Sequence, residues 1–524
     1  MENIIMSLTK KKTITKIMII AILLTAAAIL SSASANGASA KTIKISNAAN
    51  TSEGIFLEWQ HSKKANCYAV LRRIKKHKNW TRLNVTKNNV VLTYHDTKKL
   101  KNMRKYEYAV AMLKSQGAAK KIKISKNDRN IQMIIRVTAP SLKAAKTKHS
   151  NTVRMKWKKV SKADGYEIQY SGDPLQISPQ TAVIKGGKKS SAVLHSKKKA
   201  KEFYVRIRTL KKIGKTRYHS DWSYSHNYKN KIRYKIRFYN RRGVINNYRR
   251  GGSLSSYDTF QGSCAIGKYS YHVLNNVPKN LCKLIKVDMR TGRVMKVGKK
   301  SFKGHGNDLT YNPHKKYIVS TYYDDLKNSD KVVLLNPHTL NPIKVKKITI
   351  PANIDGTNPK KNVKKDVKGI TAISYIESNK KYIGRVKTSN NYIMMDSEFR
   401  VTRYIKTNKT NNMLPQGIFT TRNLIINVKS PANHGKGYNV GMVFDWLGNY
   451  LTTVNFNKNN EIESVYIGYD GLYGGVFVPS AKEQYKKLRR RVRDPKTGKT
   501  KIVTTRIRVA RSGKANYLFR ILPY

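Results

Sequence analysis

From residue 41 to the end of the chain, apolar positions come in short alternating runs broken by Gly, Asn, Asp and Lys turns. No stretch holds the 3.6-residue period of a helix, so the pattern predicts an all-β protein. Two segments of about ninety residues share one internal plan, which indicates a tandem repeat. In the first, GIFLEW ends at Trp59, CYAVLRR carries Tyr68, and KYEYAVAML carries Tyr106 and Tyr108. In the second, TVRMKW ends at Trp157, DGYEIQYS carries Tyr166 and Tyr170, and EFYVRIRTL follows a lysine-rich turn. Alternating inward positions with one central aromatic describe a two-sheet sandwich, so Trp59 and Trp157 are expected in cores and not as platforms for sugars.

These residues resemble fibronectin type III modules of bacterial surface proteins. The resemblance covers about residues 41–228 and sets expected domains at 41–137 and 138–230. Tyr106 stands where that family keeps a tyrosine that pins a corner. In the second module Phe203 holds that place with Tyr204 beside it, and SDWS at Ser220 to Ser223 is similar to the opening of the last strand. The resemblance implies a fold and no activity.

Beyond residue 230 the pattern changes. Five segments open on a small polar motif and run into a strand pair: QGSCAIGKYSYHVLN from Gln261, HGNDLTYNPHKKYIVST from His305, GITAISYIESNKKYIGRV from Gly369, QGIFTTRNLIINVKS from Gln416, and EIESVYIGYDGLYGGVFV from Glu461. A second hairpin follows each of the first four, and the fifth has only YLFRIL near the C-terminus. A period of about 45 residues with four short strands per unit is that of propeller blades. The chain from 231 to 524 is therefore expected to form a five-bladed β-propeller. RYKIRFYN at 233–240 is spare and is expected to supply the missing outer strand of the last blade. The series is similar to a group of exported Firmicutes propeller-like proteins with a recurring H-x-N-D-x-T/A-Y-N signature, and this resemblance transfers no defined activity.

Charge narrows the partners. The chain has 106 Lys+Arg against 28 Asp+Glu, a net charge of +78 spread over every segment. Such a field attracts polyanions and is screened by salt. The compartment decides which polyanion is met. Lys10, Lys11, Lys12 and Lys16 precede an apolar run, and Ala33-Ser34-Ala35 and Ala38-Ser39-Ala40 offer cleavage sites. Residues 1–40 thus read as a secretory signal, with an uncleaved anchor as the alternative, and no later stretch is apolar enough to span a bilayer. The expected protein is secreted and associated with the cell surface. Its expected partners are anionic wall or surface polymers such as teichoic acid, and nucleic acid only adventitiously. Cys67, Cys264 and Cys282 are read as buried free thiols, a Cys264–Cys282 bridge being the alternative.

In a propeller the starts of the innermost strands converge on the axis. Gln261, His305, Asn307, Asp308, Gln416, Glu461 and Glu463 are therefore expected together, and Gln261, His305, Asn307, Asp308, Gln416 and Glu463 are the candidate ligand-binding set. The favoured reading is a binding protein whose propeller recognises a ligand, most naturally a glycan. The rival is a glycan hydrolase with Asp308 and Glu461 or Glu463 as its carboxylates, since glycosidases work with such pairs. No cofactor is expected, although Asp308, Glu463 and neighbouring amide oxygens would suit Ca²⁺. Finally, residues 483–516 read as a basic hairpin inserted in the fifth blade, turning at 494–498. There Arg489, Arg490, Arg491 and Arg493 are expected to face Arg506, Arg508 and Arg511 and to grip anions between them.

Overall fold

The computed structural model describes residues 40–149, 151–229, 232–238, 257, 259–322, 330–349, 369–386, 390–431, 437–457, 461–478, 485–493, 500–508 and 515–523. The expected signal segment before Ala40 and the expected hairpin turn at 494–498 lie outside them. The described residues are β throughout, interrupted only by short 3₁₀ turns. The chain divides into two compact units. One comprises 1–48, 57–89 and 104–134, and the other 49–56, 90–103 and 135–524. The division runs through the first sandwich module and does not fall at residue 230/231.

In the first unit, strands Thr42–Ile43, Lys105–Leu113, Cys67–Ile74 and Thr81–Val85 pair in that order, and Gln132–Ile135 also pairs with Lys105–Leu113. Trp59 is buried with its ring edge-on to Tyr68 at 5.8 Å. The Tyr68 hydroxyl accepts the Ser62 amide at 2.8 Å.

The second unit contains the second sandwich and the propeller. The sandwich sheets are Ser191–His195, Thr152–Lys158 and Ser141–His149 against Gln180–Lys185, Gly165–Ser171, Tyr204–Ile213 and Thr216–His219. Thr152–Lys158 alternates buried and exposed from Val153 onward, with Val153, Met155 and Trp157 inward as the two-residue period requires. Trp157 meets Tyr166 edge-on at 5.2 Å inside this core. Phe203 packs there too, and a hydroxyl tie to the opposite sheet comes from Tyr170, which donates to the His195 carbonyl at 2.8 Å.

Five four-stranded blades follow. Blade 1 is Thr259–Ile266, Tyr269–Asn276, Leu281–Asp288 and Arg293–Val297, and blade 2 is Leu309–Asn312, Tyr317–Tyr322, Lys331–Leu335 and Pro342–Lys347. Blade 3 is Ile370–Ile376, Lys381–Val386, Tyr392–Met395 and Val401–Ile405. Blade 4 is Leu414–Thr420, Ile425–Ser430, Val440–Phe444 and Tyr450–Asn455. Blade 5 is Ile462–Gly468, Gly471–Val478, Ala515–Pro523 and, as its outer strand, Ile232–Phe238. The segment before the first blade thus closes the ring, in antiparallel register from Tyr234 opposite Pro523 to Phe238 opposite Phe519. Closure removes the free edge that an open array would present.

Each junction between blades is filled by apolar side chains from both sides. Blades 2 and 3 share Val319, Val332, Ile370 and Ile373, and blades 5 and 1 share Leu518 with Phe260 and Leu274. The cluster between blades 4 and 5 continues into the sandwich through Leu175, Tyr204 and Tyr228. The Tyr234 hydroxyl donates to Asp173 Oδ1 at 2.6 Å, tying the closing strand to the same loop. A shared apolar core is why the second sandwich and the propeller form one compact unit. Cys67, Cys264 and Cys282 are buried free thiols, and Cys282 Sγ donates to the Gly304 carbonyl at 2.8 Å.

Candidate functional site

The innermost strands share a device near their starts. Ladder pairing slips between Phe260 and Ser263, Ile370 and Ala372, Pro415 and Ile418, and Ile462 and Ser464. The residues released are Gln261-Gly262, Thr371, Gln416-Gly417 and Glu463. Bulges re-aim side chains, and here four blades use one at the same level. In blade 2 the equivalent place is Asp308, immediately before its strand. The polar starts therefore do gather: the Ser464 hydroxyl reaches Ser263 Oγ at 2.6 Å and the Gln261 carbonyl at 3.4 Å, and the Gly262 amide donates to Gly306 O at 2.9 Å.

Asp308 occupies the centre. Its Oδ2 accepts the amides of Ile373 (3.0 Å, blade 3) and Ile418 (2.9 Å, blade 4), and its Oδ1 accepts that of Leu309 at 3.0 Å. Gly262 and Gly417 have no side chain because one there would meet the Asp308 backbone and carboxylate respectively. One carboxylate thus joins three blades. Burial pushes it up to about 7, against those three amides and the nearby Arg385 guanidinium, which lower it. With both oxygens engaged by backbone, Asp308 ties strands of three blades together.

The other candidates surround it. Gln416 Nε2 donates to Glu461 Oε1 at 2.6 Å. Glu463 is buried, and its carboxyl is raised well above the ordinary range by burial and then by the charge of Glu461. His305 Nδ1 meets Asn275 Nδ2 at 3.1 Å. Two buried cations at this level carried no sequence signal beyond being basic residues in otherwise apolar strands. Arg385 donates from Nε to Thr371 Oγ1 at 3.1 Å and from Nη1 to Asn427 Oδ1 at 2.9 Å, and burial lowers it to about 10. Lys429 donates to Asn390 Oδ1 at 2.7 Å and is lowered to about 8 by burial and then by Arg385.

The open space lies at the other end of the same strands. A cavity of ≈ 760 Å³ is lined by Ser263–Gly267, Leu309–Tyr311, Pro313, Ser374–Ser378, Ile418–Arg422 and Val465–Ile467, with Ile177 and Ser178 from the second sandwich. This funnel is formed by the latter parts of the innermost strands, away from the polar starts expected to bind a ligand. Hydroxyls bridge neighbouring blades in its wall: Ser374 Oγ to Thr420 Oγ1 at 3.0 Å, Ser263 Oγ to Ser464 Oγ at 2.6 Å, and Thr310 Oγ1 accepting the Tyr375 amide at 2.8 Å. Tyr311, Tyr375, Phe419 and Tyr466 add aromatic surface. Charge is confined to Glu377 and Arg422, both exposed. The sandwich loop is held in place: the Leu175 amide bonds Asp173 Oδ1 at 3.0 Å, and Gln176 Nε2 donates to Tyr204 O at 2.7 Å.

The basic hairpin forms as strands Tyr485–Arg493 and Thr500–Arg508. Its register differs from expectation. Arg489 lies opposite Thr504, Arg490 opposite Val503, Arg491 opposite Ile502 and Arg493 opposite Thr500. Arg506 faces Lys487, Arg508 faces Tyr485, and Arg511 lies outside the described residues.

No family model matches the chain, and no curated protein matches it. Solved structures give distant likenesses. Hydrazine synthase of Kuenenia stuttgartiensis is 13% identical, over 49% of this chain and 69% of that one, with a TM-score of 0.27. A two-domain fibronectin type III segment of chicken tenascin is 14% identical over 35% and 98%, with a TM-score of 0.18. The WD40 repeats of RRP9 are 9% identical over 55% and 97%, with a TM-score of 0.26. The fold assignment rests on the strand pairing above.

Proposed function

We propose that this is an exported binding protein of the cell envelope, retained on anionic wall or surface polymers by its charge, whose propeller funnel recognises a neutral stretch of glycan. The observation that carries the reading is the ≈ 760 Å³ cavity walled by hydroxyls and aromatic rings, with its two charged residues exposed, in a chain of net charge +78. Sugars present apolar ring faces and many hydroxyls, and a concave site with aromatic surface and fixed polar groups suits them. The remaining positive surface supplies a field that holds polyanions without discriminating among them. Two separable attachments follow, one sensitive to salt and one not.

Hydrolysis has less support. A glycosidase needs two carboxylates flanking one bond. Among the described residues the cavity wall offers Glu377 alone, and Asp308 is committed to three amides.

The test is a wash of producing cells in rising salt, followed by binding of the released protein to immobilised glycans at molar salt. Release by salt together with persistent glycan binding supports the reading. Retention through molar salt, or glycan binding that vanishes as soon as charge is screened, contradicts it.

A further inference from the structure

The second sandwich turns a cationic face to solvent. Its sheet of Ser141–His149, Thr152–Lys158 and Ser191–His195 carries no acidic residue on any of its three strands. Along the central strand Val153, Met155 and Trp157 fill the core, so Arg154, Lys156 and Lys158 face outward, and all three are exposed. None of these three side chains has a hydrogen-bond or ion-pair partner among the described residues. The opposite sheet is different. There Arg208 meets Glu167 at 2.9 Å and Lys211 meets Asp164 at 2.7 Å.

The neighbouring strands leave the row open. Val193 and Ser191 lie opposite Arg154 and Lys156 on one side, and Ala144 and Ser141 lie opposite Lys156 and Lys158 on the other. These are small residues, and Val193 is 48% exposed. Lys146, opposite Arg154, places a fourth basic residue beside the start of the row. Alternate residues of a strand repeat every ~6.8 Å. A glycerol phosphate chain repeats every six single bonds from phosphorus to phosphorus, as a strand does over two residues, and extended chains of that kind span about 7 Å. Phosphate and cation therefore stay in step. A polyphosphate, with a charge at every second bond, does not. The face also lacks platforms for stacked bases: Trp157 is buried, and the three strands hold no tyrosine or phenylalanine.

We propose that the Arg154-Lys156-Lys158 face is the docking track for a linear poly(glycerol phosphate) chain. The inference rests on the charge-retention reading above and narrows it from a diffuse field to one face and one spacing. Each phosphate takes charge-assisted hydrogen bonds from one cation, and the glycerol carbons between them lie over Val193 and its small neighbours.

The experiment titrates the full-length protein with a synthetic glycerol phosphate oligomer by calorimetry at several salt concentrations. The triple variant Arg154→Gln, Lys156→Gln, Lys158→Gln is compared with Lys299→Gln, Lys300→Gln, Lys303→Gln, which removes equal charge from exposed positions after the outer strand of blade 1. Loss of three phosphate contacts should lower the slope of log affinity against log salt by about two and weaken binding about tenfold or more. The control triple should move the slope by less than ~1. Val193→Glu, which sets a carboxylate in the row, should weaken binding more than Val345→Glu, whose site is 49% exposed on the outer strand of blade 2. Equal losses in the two triples and in the two glutamate variants would overturn the track and leave charge retention standing. Tighter binding of an equally charged thymidine oligonucleotide, lost in the Arg154 triple, would assign the face to nucleic acid and overturn the proposal. Absence of saturable binding by the native protein at low salt would overturn both the track and the retention reading beneath it.

Discussion

Replacing Asp308 by Ala tests the reading of the axis most sharply. The substitution leaves the amides of Leu309, Ile373 and Ile418 without their acceptor in a fully enclosed place. An orphaned buried amide costs about 1–3 kcal/mol, so three of them sum to roughly 3–9 kcal/mol. Against this stands the cost of burying the carboxylate itself. Its rise from 3.8 to about 7 corresponds to roughly 4 kcal/mol for the ionised form at alkaline pH. The expected loss is therefore roughly 3–9 kcal/mol near pH ~4, where the carboxyl is neutral, and about 4 kcal/mol less where it is ionised, against the ~5–15 kcal/mol that holds a domain together. Asp308→Asn should not rescue it, because an amide nitrogen then competes for the space facing backbone N–H donors. Urea unfolding followed by circular dichroism and by Trp446, the one tryptophan of the propeller segment, gives the number. A loss below ~1 kcal/mol for Asp308→Ala near pH ~4 would refute the central-pin account.

The pH dependence follows from the same group. A carboxyl raised in the folded state contributes stability that is fully present below the unfolded value near ~4 and is lost as pH climbs to about 7. The native-minus-Asp308→Ala stability difference should therefore shrink between pH ~4 and ~7 and level off above, as measured by urea titration across that range. Gly262→Ala pushes a methyl into the Asp308 backbone, which cannot swing aside, and should cost about 1–3 kcal/mol by the same assay. Tyr234→Phe removes the donor to buried Asp173 and should cost about 1–3 kcal/mol while loosening the loop that carries Ile177 and Ser178. Deleting residues 232–238 should leave the ring open at Ala515–Pro523 and yield aggregating protein by size-exclusion chromatography.

The architecture was readable because each level of pattern agreed with the others. Two-residue alternation gave the strands, the 45-residue period gave the blades, and the count of strands left RYKIRFYN to close the ring, as Ile232–Phe238 does. Polar strand starts predicted convergence, and the aligned bulges deliver it. What stayed hidden depends on direction and register. A carboxylate at a strand start looks the same whether it faces a ligand or three amides, and Asp308 faces amides. The funnel residues are serines, threonines and tyrosines in the latter halves of ordinary strands, with nothing to distinguish them from solvent-facing positions. Arg385 and Lys429 disappear among 106 basic residues, and only burial singles them out. The spacing of the hairpin's arginines does not fix its register, which sets Arg489, Arg490, Arg491 and Arg493 opposite threonine and aliphatic residues.

The account turns on the funnel acting as a neutral ligand site separate from the charged exterior. Thr420→Trp tests this directly, because it fills the cavity between blades 3 and 4 and leaves every surface charge in place. The measurement is glycan-array binding of native and variant protein in molar salt. Binding by the native protein and its loss in the variant, with unchanged salt-dependent attachment to anionic polymer, is the predicted result. Equal binding by both proteins, or none by the native protein once charge is screened, would contradict it.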